Sequence, residues 1–144
     1  MTYRKMGEAD IERAVSLYIA YYNTYEGGEW TRETARRRIR QVLTREDAYC
    51  LVLEENGDLA AFAMGYFEQY DDGFAYDLIE IVVAAERQKQ GLGTAFMKEL
   101  EARVKAQGAM LIQLEAVNDD FHEHFYGKLG YGTVRNFVLK SKIL

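Results

Sequence analysis

Residues 80–101 read EIVVAAERQKQGLGTAFMKELE, and the order of residue types in them decides the fold. A β-branched, apolar run ends at Ala84-Ala85. Gly91 and Gly93 then flank Leu92. From Leu92 onward, Phe96, Leu100 and Val104 recur every four residues, the spacing of one helix face. A strand, a loop and a helix therefore follow one another, with two glycines where the helix begins. Inside a helix each glycine would cost roughly 1 kcal/mol against alanine. A helix start, however, exposes unpaired N–H groups and about half a positive charge, and glycine lets an anion reach them. The loop reads either as a pyrophosphate cradle or as a bare turn. Two well-known cradles are excluded. Thr94-Ala95 follows Gly93 where a P-loop needs Lys-Ser/Thr, and Phe96 stands where the dinucleotide fingerprint needs a third glycine.

The flanking sequence gives this unit its context. Upstream, Phe74–Ala84 is a nearly continuous apolar strand. Before it, Ala48–Glu54 and Leu59–Gln69 read as strands joined by ENGD (55–58), whose Asn-Gly pair suits the two positive φ angles of a type I′ hairpin turn. YDDG (70–73) marks the next turn, so three antiparallel strands form a meander. Earlier still, Ile11, Val15, Tyr18, Ile19 and Tyr22 repeat at helical spacing after a short opening strand. NTYEGGEW (23–30) breaks that helix, and Thr31 is the N-cap of a second, with Ala35, Ile39, Val42 and Leu43 as its apolar stripe. Arg36, Arg37, Arg38 and Arg40 fill its other faces and read as a solvated surface paired with nearby Glu. Downstream, Gly108 caps the third helix. Met110–Val117 is a further strand, a short helix runs to Lys128, and residues 133–144, TVRNFVLKSKIL, alternate as a final strand or tight hairpin. The order β-α-α-β-β-β-α-β-α-β predicts an α+β, three-layer α/β/α fold with about four helices over one domain, 1–144.

Composition narrows the function. With 144 residues, 49% hydrophobic and 28% charged, the chain can bury a core. A net charge of −5 argues against nucleic acid or an anionic membrane surface as the main partner and favours a cationic substrate. No apolar run is long enough to span a bilayer. The single cysteine, Cys50, reads as a small buried apolar residue, and a lone cysteine places the chain in the reducing cytosol. His122 and His124 flank Glu123, but residues two apart on a helix diverge, so no metal site is expected.

Gln88-Lys89-Gln90-Gly91-Leu92-Gly93 resembles the Gln/Arg-x-x-Gly-x-Gly/Ala signature of the GNAT superfamily of N-acetyltransferases. FYGKLGY (125–131) is similar to that family's Phe-Tyr-x-x-x-Gly-Phe/Tyr block, and YRKMGEAD (3–10) to its opening strand and turn. The resemblance covers nearly the whole chain. It implies a mixed, mostly antiparallel sheet with splayed central strands and acetyl-CoA as co-substrate. Backbone groups of Ile81, Val82 and Val83 would pair with the pantetheine, and those of Gln88, Lys89, Gln90, Gly91, Leu92, Gly93 and Thr94 would hold the pyrophosphate. Ala84-Ala85 replaces the family's Asp-Pro. The family's Asn before the last helix falls at Asp119, one residue from Asn118, the coenzyme contact the resemblance suggests.

The same resemblance implies Tyr126 as the acid that protonates the departing thiolate. A phenol is protonated at neutral pH and can donate. For the base, Glu80 and Asp77 lie on the strand beside the cleft. They are three apart, so on a regular strand they face opposite sides unless a bulge intervenes. Glu115 is a third candidate. The segments YYNTYEGGEWT (21–31) and YFEQYDDGFAYD (66–77) combine aromatics with acids, which suits a cationic amine. The resemblance implies that these two segments line the acceptor cleft, so Tyr22, Tyr25, Glu26, Glu29, Trp30, Tyr66 and Glu68 are the expected acceptor-binding residues. The expected activity is acetyl transfer to the primary amine of a cationic small molecule. A protein or peptide acceptor, or a non-catalytic acyl-CoA sensor, is the alternative, and a homodimer is left open.

Overall fold

A computed structural model describes residues 1–144. The strands are β1 (Thr2–Lys5), β2 (Ala48–Glu55), β3 (Asp58–Gln69), β4 (Phe74–Val83) and β5 (Ile112–Leu114). The helices are α1 (Ile11–Tyr25), α2 (Arg32–Leu43), α3 (Leu92–Ala106) and α4 (Asp120–Gly127). The strands lie in chain order in one mixed sheet. β1 to β4 pair antiparallel, and β4 pairs parallel with β5. The β2–β3 hairpin turns at Asn56 and Gly57, both at positive φ (52° and 83°), as the Asn-Gly pair predicts.

Each face of the sheet has its own core. On one, Ala14, Val15 and Tyr18 of α1 and Ala35, Ile39 and Val42 of α2 pack on Cys50, Phe62, Met64 and Val82. On the other, Phe96, Met97, Leu100 and Val104 of α3 pack on Leu51, Leu53, Ala61, Ala63, Tyr76 and Leu78. The apolar stripes predicted for the helices are the faces they bury. Thr31 caps α2, its hydroxyl accepting from the Thr34 N–H at 3.1 Å. The arginines of α2 meet acids: Arg36 and Arg32 grip Glu12, Arg40 meets Glu8 and Arg38 reaches Glu80. Cys50 is buried, and burial pushes its thiol up to about 11. No helix is long and apolar enough to cross a membrane.

Two expectations at the C-terminal end are corrected. β5 spans Ile112–Leu114 and not the whole of 110–117. Residues 133–144 form neither strand nor hairpin, and all are exposed. With only β4 beside it, β5 has one unpaired edge, and the tail leaves the body without joining it.

A third feature decides where the acids point. Met64 pairs with Glu80 and Gly65 with Leu78, so Ile79 is an extra residue, a β-bulge. Before the bulge, Tyr76 and Leu78 face α3, so Asp77 faces the α1/α2 side. After it, Glu80 and Val82 face that side too. The bulge needs Gly65: a Cβ there would lie 2.2 Å from the Asp77 carbonyl oxygen and 2.6 Å from the Tyr76 ring.

Candidate active site

β4 and β5 pair from Tyr76↔Ile112 to Leu78↔Leu114 and no further. Beyond Leu78, β4 continues to Val83 with β3 on one side and no strand on the other. Backbone groups along Ile79–Val83 therefore border an opening between the two strands. A cavity of about 150 Å³ lies in it, walled by Ile79 and Ile81 of β4, by Leu114 to Val117, by Tyr21, Tyr22 and Glu26 of the α1 end, and by His122 and Tyr126 of α4.

The opening leads to the glycine loop. Gln88 turns back and donates its side-chain N–H to the Val83 carbonyl at 3.2 Å. Lys89 (φ 61°) and Gly91 (φ 76°) both take left-handed conformations, which turn the chain sharply into α3. The first helix amide with a backbone acceptor is that of Ala95, which donates to the Gly91 carbonyl at 3.0 Å. The N–H groups of Gly91, Leu92, Gly93 and Thr94 have none. Space above Gly91 is open, whereas a Cβ on Gly93 would touch the Phe125 ring at 3.5 Å and Val83 at 3.7 Å. Amide-bearing edge, narrow gap and free N–H groups fit an elongated group that carries amides and ends in an anion. Lys89 is exposed beside the loop. Asn118 is exposed and makes no side-chain hydrogen bond, while its neighbour Asp119 is the N-cap of α4.

Tyr126 projects from α4 into the cavity. Burial first, then the negative charge of Glu80, raise its phenol above the ordinary value, so it holds its proton firmly. Glu80 is 6% exposed and fully engaged. It accepts from the Tyr18 hydroxyl at 3.0 Å, from the Tyr22 hydroxyl, and from Arg38 at 3.2 Å. Asp77 is also buried. It accepts from Gln113 at 2.6 Å and, with Glu68 and Tyr66, forms a separate group near the β3–β4 end. Asp77 raises Glu68 by hydrogen bonding, and the Arg45 guanidinium lies 3.7 Å from the Tyr66 ring centre.

The sequence reading missed a pair. The Asp119 carboxylate accepts from the His122 backbone N–H at 2.8 Å and lies 2.6 Å from the His122 Nδ1. A carboxylate only accepts, so Nδ1 carries the hydrogen of this contact, and Nε2 is the acceptor whenever the ring is neutral. Nε2 lies 4.0 Å from Glu26, across the cavity mouth. The hydrogen bonds lower the Asp119 carboxyl, which stays ionised. The signal was present in Asp-x-x-His: the third helical residue commonly returns its side chain to the N-cap.

The expected acceptor residues separate in space. Tyr22 and Glu26 reach the cavity, with Glu115 on its opposite wall. Trp30 instead packs edge-on against Tyr18 at 5.0 Å, and Tyr25 is exposed beside Tyr21. Glu29 is exposed outside the cavity, and Tyr66 and Glu68 belong to the Asp77 group.

A sequence model of the acetyltransferase (GNAT) family matches residues 12–131. No curated protein matches the chain. Among solved structures, a possible acetyltransferase from Clostridium difficile 630 is similar over 99% of this chain and 97% of its own (TM-score 0.83, 14% identity). An aminoglycoside antibiotic 6'-N-acetyltransferase from Acinetobacter haemolyticus is similar over 100% and 99% (TM-score 0.75, 18% identity). An aminoglycoside N-acetyltransferase in complex with CoA is similar over 98% and 93% (TM-score 0.77, 12% identity).

Proposed function

The chain belongs to the GNAT acetyltransferase family, and from that premise we propose that it moves an acetyl group from acetyl-CoA to the primary amine of a cationic small molecule. The observation that carries this reading is the β4–β5 opening, which runs from four free helix N–H groups to a cavity holding a phenol and an imidazole. Acetyl-CoA, when bound, supplies the acetyl group as a thioester. The edge of β4 from Ile81 to Val83 holds the pantetheine, and the N–H groups of Gly91 to Thr94 hold the pyrophosphate. Aminoglycoside acetyltransferases among the structural neighbours act on amines of the proposed kind.

The work of the chain is proton management. His122 Nε2 takes the proton from the attacking nitrogen, and Asp119 holds the ring in the required tautomer and stabilises the imidazolium that forms. As the amine nitrogen bonds to the carbonyl carbon and the C–S bond breaks, the sulfur takes the electron pair, and the Tyr126 hydroxyl donates to it. The imidazolium proton returns through water, so the sum is an amide and a free thiol. Glu80, bound by two hydroxyls and a guanidinium, has little room to accept a further proton. Its part is to fix Tyr22 and Arg38 beneath the acceptor and, by its charge, to keep Tyr126 protonated. Asp77 is committed to Gln113. Tyr21, Tyr22 and Glu26 offer aromatic faces and a carboxylate to an ammonium-bearing acceptor. Burial and Glu26 push the Tyr21 phenol up to about 12, so it stays neutral there.

The test is release of free thiol from acetyl-CoA against a panel of polyamines, aminoglycosides, amino-acid derivatives and lysine peptides. Turnover with a polycationic small amine is the expected result. Coenzyme binding without turnover of any amine would make the chain a binding protein, and turnover of peptides alone would move the acceptor to proteins.

A further inference from the structure

Outside Met1 and residues 133–144, the exposed large apolar side chains are Tyr25, Tyr70, Met110, Leu111, Val117 and Phe121. Met110 and Leu111 precede β5, and Tyr70 joins them there through a hydrogen bond from Gln113 at 2.8 Å. The other three gather at the mouth of the β4–β5 cavity, and all are more than half exposed. Val117 is part of the cavity wall. Tyr25 packs on Tyr21, a wall residue, with ring centres 5.6 Å apart. Phe121 meets His122, also a wall residue, edge to face at 5.2 Å. Tyr25 is the neighbour of Glu26 in the chain and Phe121 the neighbour of His122, and Glu26 and His122 face each other across the mouth at 4.0 Å. An aromatic side chain therefore stands on each bank. Exposed apolar groups gathered at the edge of a cavity mark a surface that a ligand covers.

Inside the cavity, most polar groups are already engaged. The Tyr22 hydroxyl donates to Glu80, the Tyr21 hydroxyl to Glu26 at 3.2 Å, and His122 Nδ1 to Asp119. Ile79, Ile81, Leu114, Ala116 and Val117 make the rest of the wall aliphatic, with the carboxylates of Glu26 and Glu115 among them. A polyhydroxylated acceptor would bury hydroxyls here without partners, at a cost for each. An ammonium followed by hydrocarbon would not, because its charge meets carboxylates and its carbon meets the wall and the mouth. We propose that the acceptor is an amphiphilic cation: Glu26 and Glu115 draw its ammonium groups, and an apolar arm a few atoms from the reacting nitrogen passes out over Val117, Tyr25 and Phe121. This inference rests on the proposed acetyl transfer and narrows its acceptor. Tyr25 and Phe121 select for the arm and take no part in the proton transfers.

The probes are 1,4-diaminobutane and its N-butyl, N-benzyl and N-(2-methoxyethyl) derivatives, all dications with a free primary amine. They are assayed by thiol release and by calorimetry on the chain saturated with CoA. From the parent diamine to the N-butyl and N-benzyl derivatives, kcat/KM should rise about tenfold, the effect of covering roughly two methylenes. The methoxyethyl arm, as long as butyl but broken by an ether oxygen, should gain far less. Binding of the apolar derivatives should carry a more negative heat-capacity change than that of the parent diamine. Phe121→Ser, at an exposed helix position, should collapse the ratio of N-butyl to parent diamine measured within that variant. Turnover of the diamine with no gain from any arm, an equal gain from the methoxyethyl arm, or an unchanged ratio in Phe121→Ser would overturn the apolar mouth and leave acetyl transfer standing. No turnover of any probe, with calorimetry showing coenzyme bound, would overturn the acetyl transfer and this inference together.

Discussion

Tyr126 lies between burial and the charge of Glu80, and both raise its pKa above that of an ordinary phenol. A thiolate is the conjugate base of a stronger acid, near ~8.5 for a free thiol. Complete transfer from Tyr126 to the sulfur is therefore uphill. In the proposed reaction the phenol would offer a strong hydrogen bond as charge develops, with solvent completing the protonation. Tyr126→Phe keeps the ring and should lower kcat by about 10²-fold, within the range of acid–base effects, with coenzyme affinity unchanged by calorimetry. A variant as fast as the parent would reduce Tyr126 to packing. In the proposed reaction His122 acts on the other proton. His122→Gln should lower kcat by about 10²-fold, within the range of acid–base effects, with coenzyme affinity unchanged. Asp119→Asn keeps an N-cap but can leave the wrong tautomer facing the acceptor, and it should lower kcat more than KM. If Glu80→Gln lowers kcat and His122→Gln does not, the base is Glu80.

Elements place these residues, and two of their fittings can be tested by stability. Asp10 sits at the start of α1 with Arg4 at 2.8 Å, Arg13 at 2.7 Å and the Gly7 N–H at 2.9 Å, and Arg4 in the lead holds its carboxyl down at about 2, against 3.8 ordinarily. A folded-state pKa below the unfolded one stabilises above the unfolded value and is lost as pH falls through the folded one. Asp10→Asn should therefore destabilise by about 2 kcal/mol at pH 7. The gap to the parent in denaturant melts should close between about pH 4 and pH 2. A gap independent of pH would point to shape and not charge. Gly65→Ala forces a Cβ onto the Asp77 carbonyl and the Tyr76 ring and should cost about 3 kcal/mol; a silent substitution would mean the bulge can relax. These sites also mark how far the sequence could be read. Helices, meander and the glycine turn into α3 were legible because periodicity and turn chemistry are local, whereas Tyr126 was singled out only by the family resemblance. The bulge at Ile79 was not, since it arises from the packing of β4 on Gly65. Only a glycine inside a strand and two acids three apart hinted at it. The fate of residues 133–144 was not legible either, because a strand pattern says that a segment wants a sheet and not which sheet.

Across the whole molecule, several acids are held by arginines: Asp10 and Glu54 by Arg4 and Arg13, Glu12 by Arg32 and Arg36, Glu55 by Arg87 and Glu99 by Arg103. Glu26, Glu29, Glu68, Asp71, Asp72 and Glu115 have no Lys or Arg partner. Of these, Glu26 and Glu115 border the cavity. With a net charge of −5 and two such carboxylates at the cavity, the field at the proposed acceptor site should gather polycations and lose strength with salt. If the proposal holds, KM for a polycationic amine should rise with ionic strength while the coenzyme KM moves far less. Glu26→Gln should raise the amine KM by about two- to fivefold, the size of a partly exposed ion pair. Glu29→Gln, three residues along but outside the cavity, should change it little. Equal effects from the two would show that net charge, and not the carboxylate at the cavity wall, draws the acceptor. A neutral or anionic best substrate, or a KM indifferent to salt, would remove the cationic acceptor and leave acetyl transfer standing, since that rests on the β4–β5 opening and the glycine loop.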